Sequence, residues 1–317
     1  MTLWPLDSIS ISKLHITMVP SGEVRLPPYL GSTLRGGLGM ALRAVACATP
    51  KQPCDTCILR FHCGYCALFE PQSQDSSAVF KGNWQPPAPM IIEPPRAQSV
   101  PFSPQHPLDF HIVLVGAGIS FFAVLVSALL RMGQNGLGRA RHPFALTRIR
   151  RVLPGEVPGE VLFDTDSPAA LPALAEDPLS RWAQGPVSDV ATVSFVTPMR
   201  IVRNGFTEVP VSFRSLARNL VARVSGFTPT HSLVSVEELA PLLQAASRVT
   251  VERDAQQRAS FNRYSNRQQR SHDLVGAMGE ATWRGDAVAS FFPLLRAAEV
   301  LHAGKSTMFG FGKIKVR

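Results

Sequence analysis

Polar and apolar residues alternate across 8–19 (SISISKLHITMV), with Ile9, Ile11, Leu14, Ile16 and Met18 prominent, and this predicts a first strand. Pro27 and Pro28 precede a helical pattern whose candidate N-cap is Ser32 and whose apolar stripe is Leu34, Leu38, Leu42 and Val45. A short strand is predicted in MIIEPP, a longer one over 109–115, and a helix over 119–132 after Gly116 and Gly118. Residues 133–151 (GQNGLGRARHPFALTRIRR) run from glycine-rich to basic to strand-like. In the second half, 190–202 reads as a strand, 211–225 as a helix, 247–253 and 274–283 as strands and 286–301 as a helix. The chain then ends on LHAGKSTMFGFGKIKVR, a helix end, a glycine-rich loop and a last strand, echoing the order at 133–151. The order β, α, β, β, α, β emerges twice, so the expected fold is α+β with tandem ferredoxin-like units. The expected boundaries are 1–152, carrying a Cys-rich insertion at 47–70; a Pro-, Gly-, Ala- and acid-rich linker at 153–186; and 187–317.

Charge narrows the partners. The chain has 317 residues and a net charge of +9, and 26 of its 32 basic residues are arginine. Arginine excess favours bidentate and stacking contacts with phosphates and bases, which points to nucleic acid over mere solubility. The N-terminus lacks a basic region followed by an apolar run, so no signal peptide is expected and the cytoplasm is the expected compartment. Residues 110–130 hold no Asp, Glu, Lys or Arg over a length that could cross a bilayer. Their glycine punctuation favours a strand, a turn and a helix inside a core, with no membrane partner.

All five cysteines fall within twenty residues: Cys47, Cys54, Cys57, Cys63 and Cys66. In a chain of this kind that density argues for metal over disulfides. Cys54, Cys57, Cys63 and Cys66 form two C-x-x-C pairs suited to a structural zinc. Cys47, Cys54, Cys57 and Cys63 are spaced like the four-iron four-sulfur loop of base-excision DNA glycosylases, which makes an iron–sulfur repair enzyme a rival reading. The two metals stay open; either would staple a loop, and His62 could join the set.

The candidate binding residues cluster in three places. On the first helix, Arg35, Gly39 and Arg43 lie at i, i+4 and i+8, so a sugar-phosphate backbone could lie close between two arginines; solvated arginines around a helix-packing glycine are the alternative. In FNRYSNRQQRSH, Arg263, Arg267 and Arg270 interleave with Phe261 and Tyr264, which suits base stacking with phosphate contact, or else a polar edge hairpin. In the last segment, Gly304, Gly310 and Gly312 leave backbone N–H groups unobstructed beside Lys305, Lys313, Lys315 and Arg317, with His302 at the mouth. The bland alternative there is a helix C-cap and a basic edge strand. His15, His111 and His142 read as structural or surface histidines. GKST lacks the upstream glycine of a P-loop and precedes a strand, which excludes an NTPase.

Five blocks in order carry a family resemblance: LGSTLRGGLGMALRAVAC, CGYCALFEP, GQNGLGRARHPF, VSFVTPMRIVRNG, and RYSNRQQRSHDLVGAMGEATWRGD followed by FFPLLRAAEVLHAGKSTMFGFGKIKV. Together they resemble the CRISPR precursor-RNA processing endoribonucleases of the RAMP superfamily. The resemblance implies two ferredoxin-like domains, binding of CRISPR repeat RNA, retention of the guide RNA, and cleavage that needs no metal. The implied reaction is attack of a ribose 2′-OH on the adjacent phosphorus, leaving a 2′,3′-cyclic phosphate and a 5′-OH. Many members carry a histidine near the first helix; residues 29–54 here contain none. Three outcomes follow: His302 as acid/base with Lys305 and Arg35 stabilising charge; an Arg/Lys site working by electrostatics; or a non-cleaving RNA-binding subunit of a CRISPR effector complex.

Overall fold

The computed structural model describes residues 4–71, 87–95, 100–228, 236–265 and 270–317. The chain forms two compact units. The first comprises β1 (Ser10–Pro20), α1 (Gly31–Ala46), α2 (Gly64–Phe69), β2 (Met90–Glu93), β3 (Leu108–Val115), α3 (Phe122–Asn135), β4 (Phe144–Leu153) and β5 (Val157–Asp164), and closes at the two-residue β6 (Asp177–Pro178). The second holds α4 (Leu179–Trp182), β7 (Val190–Met199), β8 (Val202–Arg203), β9 (Phe206–Thr207), α5 (Phe213–Ser225), α6 (Val236–Ala246), β10 (Thr250–Asp254), β11 (Gln257–Ser265), β12 (Arg270–Arg284), α7 (Asp286–Leu301) and β13 (Ile314–Val316).

The first sheet runs β2-β3-β1-β4-β5, with β3 and β4 antiparallel to β1 and the short β6 also pairing β1. Its first four strands, taken with α1 and α3, have the order and connections of a ferredoxin-like unit. Along β1, Leu14, Ile16 and Met18 are fully buried, whereas His15 and Thr17 of the opposite face are partly exposed. That period-2 pattern is the alternation read from the sequence. The apolar stretch after β3 does not continue as one long helix. Val115 ends the strand, a 3-10 turn spans Gly116–Phe121, and α3 follows, burying Leu125, Val126, Leu129 and Met132. Gly116–Asn135 is long and apolar enough to cross a membrane, but half of it is buried inside the fold, as in a core helix.

The second sheet runs β10-β12-β7-β13, with β11 pairing the far end of β12. Its core side is lined by α7, whose Val288, Phe291, Leu295, Ala298 and Leu301 are buried. The chain's first described residues belong to this unit: Trp4 Nε1 donates to the Ser290 carbonyl at 2.7 Å, and its ring lies 5.5 Å from Phe291.

One boundary is corrected. Within the expected linker 153–186, Val157–Asp164 forms β5 on the edge of the first sheet, paired with β4. Most of its positions face solvent, so the strand lacks the alternation that would have betrayed it. Arg151 anchors the same stretch, donating to Asp177 at 2.6 Å and to Glu160 at 3.3 Å.

Candidate functional site

The glycine-rich loop begins where α7 stops. His302 takes φ 57°, outside the helical region, while its N–H still reaches Ala298 O at 2.8 Å. The turn that follows is held by backbone-to-backbone packing. A Cβ on Gly312 would lie 1.7 Å from the Ala303 carbonyl oxygen, and one on Gly304 would lie 2.7 Å from that of Arg200. No side chain fits at either place, and both glycines also have positive φ.

This corrects the expectation that the glycines offer free donors. Gly304 N–H donates to Asn219 Oδ1 at 2.6 Å, Gly310 N–H to Thr307 O at 2.9 Å and Gly312 N–H to Pro198 O at 3.0 Å. Gly310 and Gly312 are buried. Backbone groups already paired inside the fold do not cradle phosphates. His302 is corrected too: its side chain has no accessible surface, and Nδ1 sits 2.9 Å from Phe311 O. A ring locked there cannot exchange a proton with a nucleotide in solvent, so it is a structural histidine.

A buried arginine organises the loop. Arg223 of α5 donates through Nε to Leu301 O at 2.7 Å and through a terminal nitrogen to Thr307 Oγ1 at 3.2 Å, with its guanidinium 5.4 Å from the Phe227 ring. It thereby closes the carbonyl end of α7 and fastens the far side of the turn. Burial pulls its pKa down to about 9, which leaves it charged at neutral pH.

What the loop presents outward is charge. Lys305 is exposed, with its N–H fixed to Arg200 O at 2.8 Å, and Lys315 is exposed on β13. Lys313 is half-buried, its N–H held by Thr197 Oγ1 at 2.9 Å. Arg317 is turned to Glu280, 2.6 Å away. Arg200 leads into a small hairpin, β8 and β9, which therefore stands beside the loop. Of the arginine cluster around 263–270, Arg263 lies on β11 and Arg270 on β12, but their side chains, and all of Arg267, lie outside the described residues.

In the first unit, the Arg35–Gly39–Arg43 stripe does share one helix face, and α2 covers it. Arg35 stacks over the Phe69 ring at 4.9 Å, and a Cβ on Gly39 would come within 2.6 Å of that ring. Arg43 donates to Pro50 O at 2.7 Å and Gln52 O at 3.2 Å and lies over Tyr65 at 5.4 Å. Arg43 thus ties down the cysteine segment, and Gly39 serves to pack the helix against Phe69.

Among the described residues no three His, Cys, Asp or Glu side chains converge as a metal site. The Cys57 sulfur pairs with Thr49 Oγ1 at 3.4 Å, and Cys63 is directed to Ala46 O at 3.6 Å. Burial first, then hydrogen bonding with the neighbouring Cys54 and Cys63, pushes the Cys66 thiol far above its ordinary range, so these sulfurs neighbour one another. Nothing below is derived through a metal.

One constellation escaped the sequence. Strand register places Glu93, His111, His15 and Arg150 in a single row across β2, β3, β1 and β4. The two imidazoles are 5.0 Å apart, His15 Nε2 lies 3.3 Å from Asp109 and His111 Nδ1 3.9 Å from Glu93. Beneath them Lys13, fully buried, bonds Glu93 at 3.0 Å and Glu156 at 2.7 Å. Burial, then the Lys13 charge, push His111 down to about 4, so it is neutral at physiological pH. Neither histidine neighbours the other in sequence, and only strand pairing joins them.

Two ferredoxin-like α+β units in tandem, the second ending in a glycine turn that displays lysines, define the RAMP class of architecture. The comparisons agree. The family described as the AF_1859_N N-terminal domain matches residues 9–174, more than half of the chain, and the family described as CRISPR-associated endoribonuclease Cas6 matches residues 193–314. An Archaeoglobus fulgidus protein described only as uncharacterized is 23% identical over 299 residues, 93% of this chain and 94% of that protein. Among solved structures, a Thermus thermophilus Cas6 product complex superposes with a TM-score of 0.59 at 16% identity, covering 97% of this chain and 99% of that one. A second Cas6 product complex gives 0.54 at 18% identity, with the same coverage. The chain belongs to the CRISPR-processing family of RAMP-type proteins.

Proposed function

We propose that this protein is an endoribonuclease that cleaves CRISPR repeat RNA by internal transesterification. The observation that carries the reading is the Cas6 endoribonuclease family match over residues 193–314, which spans the loop holding Lys305. In the proposed step the 2′-OH oxygen bonds to the neighbouring phosphorus as the P–O5′ bond breaks. The 2′-OH proton passes to water, the 5′ oxygen takes one from water, and the phosphorane between them carries extra negative charge. Lys305, an exposed ammonium on a backbone pinned at Arg200 O, suits stabilisation of that charge without reorganisation. With His302 enclosed, the reaction relies on alignment and electrostatics more than on a positioned imidazole. Arg35, stacked on Phe69, remains the proposed phosphate-charge partner on its own unit. The cleaved product stays bound as the guide.

The enclosure of His302 also favours a second reading, a non-cleaving RNA-binding subunit of a CRISPR effector complex. One experiment separates them: incubation with repeat RNA in EDTA, with and without a 2′-deoxy substitution at the scissile position. A cyclic-phosphate product that the 2′-deoxy substrate abolishes supports the endoribonuclease; retention of intact RNA supports the binder. Lys305→Ala is expected to slow single-turnover cleavage by roughly 10²- to 10³-fold without changing the melting temperature. An equal rate would remove Lys305 from the chemistry.

A further inference from the structure

The hairpin beside the glycine loop carries a feature that the cleavage reaction does not use. Strands β8 and β9 are joined by Asn204 and Gly205, with φ of 50° and 84°. Two successive positive-φ residues make the tight turn whose twist matches the paired strands, and Asn-Gly is its preferred sequence. The register pairs Arg203 with Phe206 directly across the ribbon, so the two side chains leave from the same face. The base is closed by Glu208 N–H donating to Ile201 O at 2.9 Å. Phe206 is 79% exposed. A phenylalanine held out on a short closed hairpin forgoes the burial its ring would otherwise gain, and nothing in the turn geometry requires an aromatic there.

The charge around it is mostly positive, with Glu208 at the hairpin base bonded to Ser212. Segments 190–207 and 300–317, which pair through β7 and β13 and through Arg200 and Lys305, contain Arg200, Arg203, Lys305, Lys313, Lys315 and Arg317 and no Asp or Glu. Glu280 neutralises Arg317 from outside these segments, but Arg203 and Lys305 face solvent. An exposed aromatic face next to exposed cations is the chemistry that takes an unpaired base with its flanking phosphates. An apolar protein partner would be matched by further exposed apolar side chains, and Phe206 is the one such residue over 201–208.

We infer that Phe206 is a stacking platform for one unpaired nucleobase of the bound RNA, with Arg203 and Lys305 holding the phosphates on either side. The inference rests on the RNA-processing reading above and adds a specific base-binding position to it. The assignment tolerates any base, since every base has a π-face, and it requires a single-stranded nucleotide.

The test uses the full chain and repeat RNA in which 2-aminopurine is moved one nucleotide at a time through the unpaired flanks. Wild type and Phe206→Trp are expected to quench the fluorophore at one position. Phe206→Ala and Phe206→Leu are expected to restore its emission and to weaken binding by roughly 5- to 150-fold. Leucine keeps the apolar surface and removes the π-face, so it separates stacking from simple contact. Cleavage by wild type is read in the same samples. If wild type cleaves but all four proteins bind alike with no position-specific quenching, the platform is refuted and the endoribonuclease stands. If wild type neither binds nor cleaves, both fall.

Discussion

Lys13 offers the sharpest test of how the first unit is held together. Its ammonium has no accessible surface and touches two carboxylates, Glu93 at 3.0 Å with 4% exposure and Glu156 at 2.7 Å with 51%. Burial opposes the charge, but Glu93 and then Glu156 more than offset it, and the net shift of the Lys13 pKa is upward. Substituting Lys13→Met keeps the length of the side chain and takes from the buried Glu93 carboxylate its ammonium partner. Breaking a buried pair from one side costs about 3–5 kcal/mol, against a total stability of about 5–15 kcal/mol for a native domain. Glu156 is half in water, so Glu156→Gln should cost less than about 1 kcal/mol. The double variant Lys13→Met/Glu93→Gln removes both charges, and its cost should fall short of the sum of the single costs by up to ~3 kcal/mol. In urea, with m of about 2 kcal/mol/M, the Lys13→Met midpoint should drop by on the order of 2 M.

A second readout comes from His111, which shares Glu93 with Lys13. Removing Lys13 removes a cation and frees an anion beside the imidazole, so the His111 pKa, held at about 4 by burial first and Lys13 second, should climb. Titration of its ring protons by NMR would follow it. If Lys13→Met costs under about 1 kcal/mol, adds simply with Glu93→Gln and leaves His111 in place, the ion triad is not what holds these strands.

Arg223→Met should destabilise the second unit by about 1–3 kcal/mol, the loss of hydrogen bonds to Leu301 O and Thr307 being partly offset by relief of a buried charge. Hydrogen exchange at 302–313 should rise well beyond the rest of the sheet, and unchanged protection there would refute the anchor. For acid, the sign follows from His111. Its folded-state pKa of about 4 lies below the ordinary 6.5, so the unfolded chain binds the extra proton between those values and stability falls as pH drops from 6.5 to 4. With the ring a third exposed, the loss should be about 1–3 kcal/mol, measurable as a falling urea midpoint that His111→Gln abolishes.

Much of the architecture was legible because its signals are local. The alternation of β1 survives, the α1 stripe holds at Leu34, Leu38 and Leu42 but leaves Val45 exposed, and the doubled β-α-β-β-α-β order underlies a second unit with added elements. What was not legible depends on partners distant in sequence. The spacing of Arg35, Gly39 and Arg43 correctly puts them on one face, but it does not say that Phe69 and Tyr65 cover that face. The His15–His111 pair exists only through strand register, across 96 positions of chain.

The glycine loop shows the ambiguity at its most instructive. A glycine is demanded wherever something approaches the backbone too closely for a Cβ, and that something can be a phosphate or another stretch of the same chain. At Gly304 and Gly312 it is the carbonyls of Arg200 and Ala303. The glycines therefore act one step removed from any ligand: they let α7, β7 and β13 converge tightly enough that Lys305 and the Arg203–Phe206 hairpin are held side by side. The same convergence encloses His302, because the turn that brings Phe311 O to its ring also shuts out solvent. A histidine-based acid/base and a tightly closed glycine turn are competing demands on this loop, and its packing favours the turn.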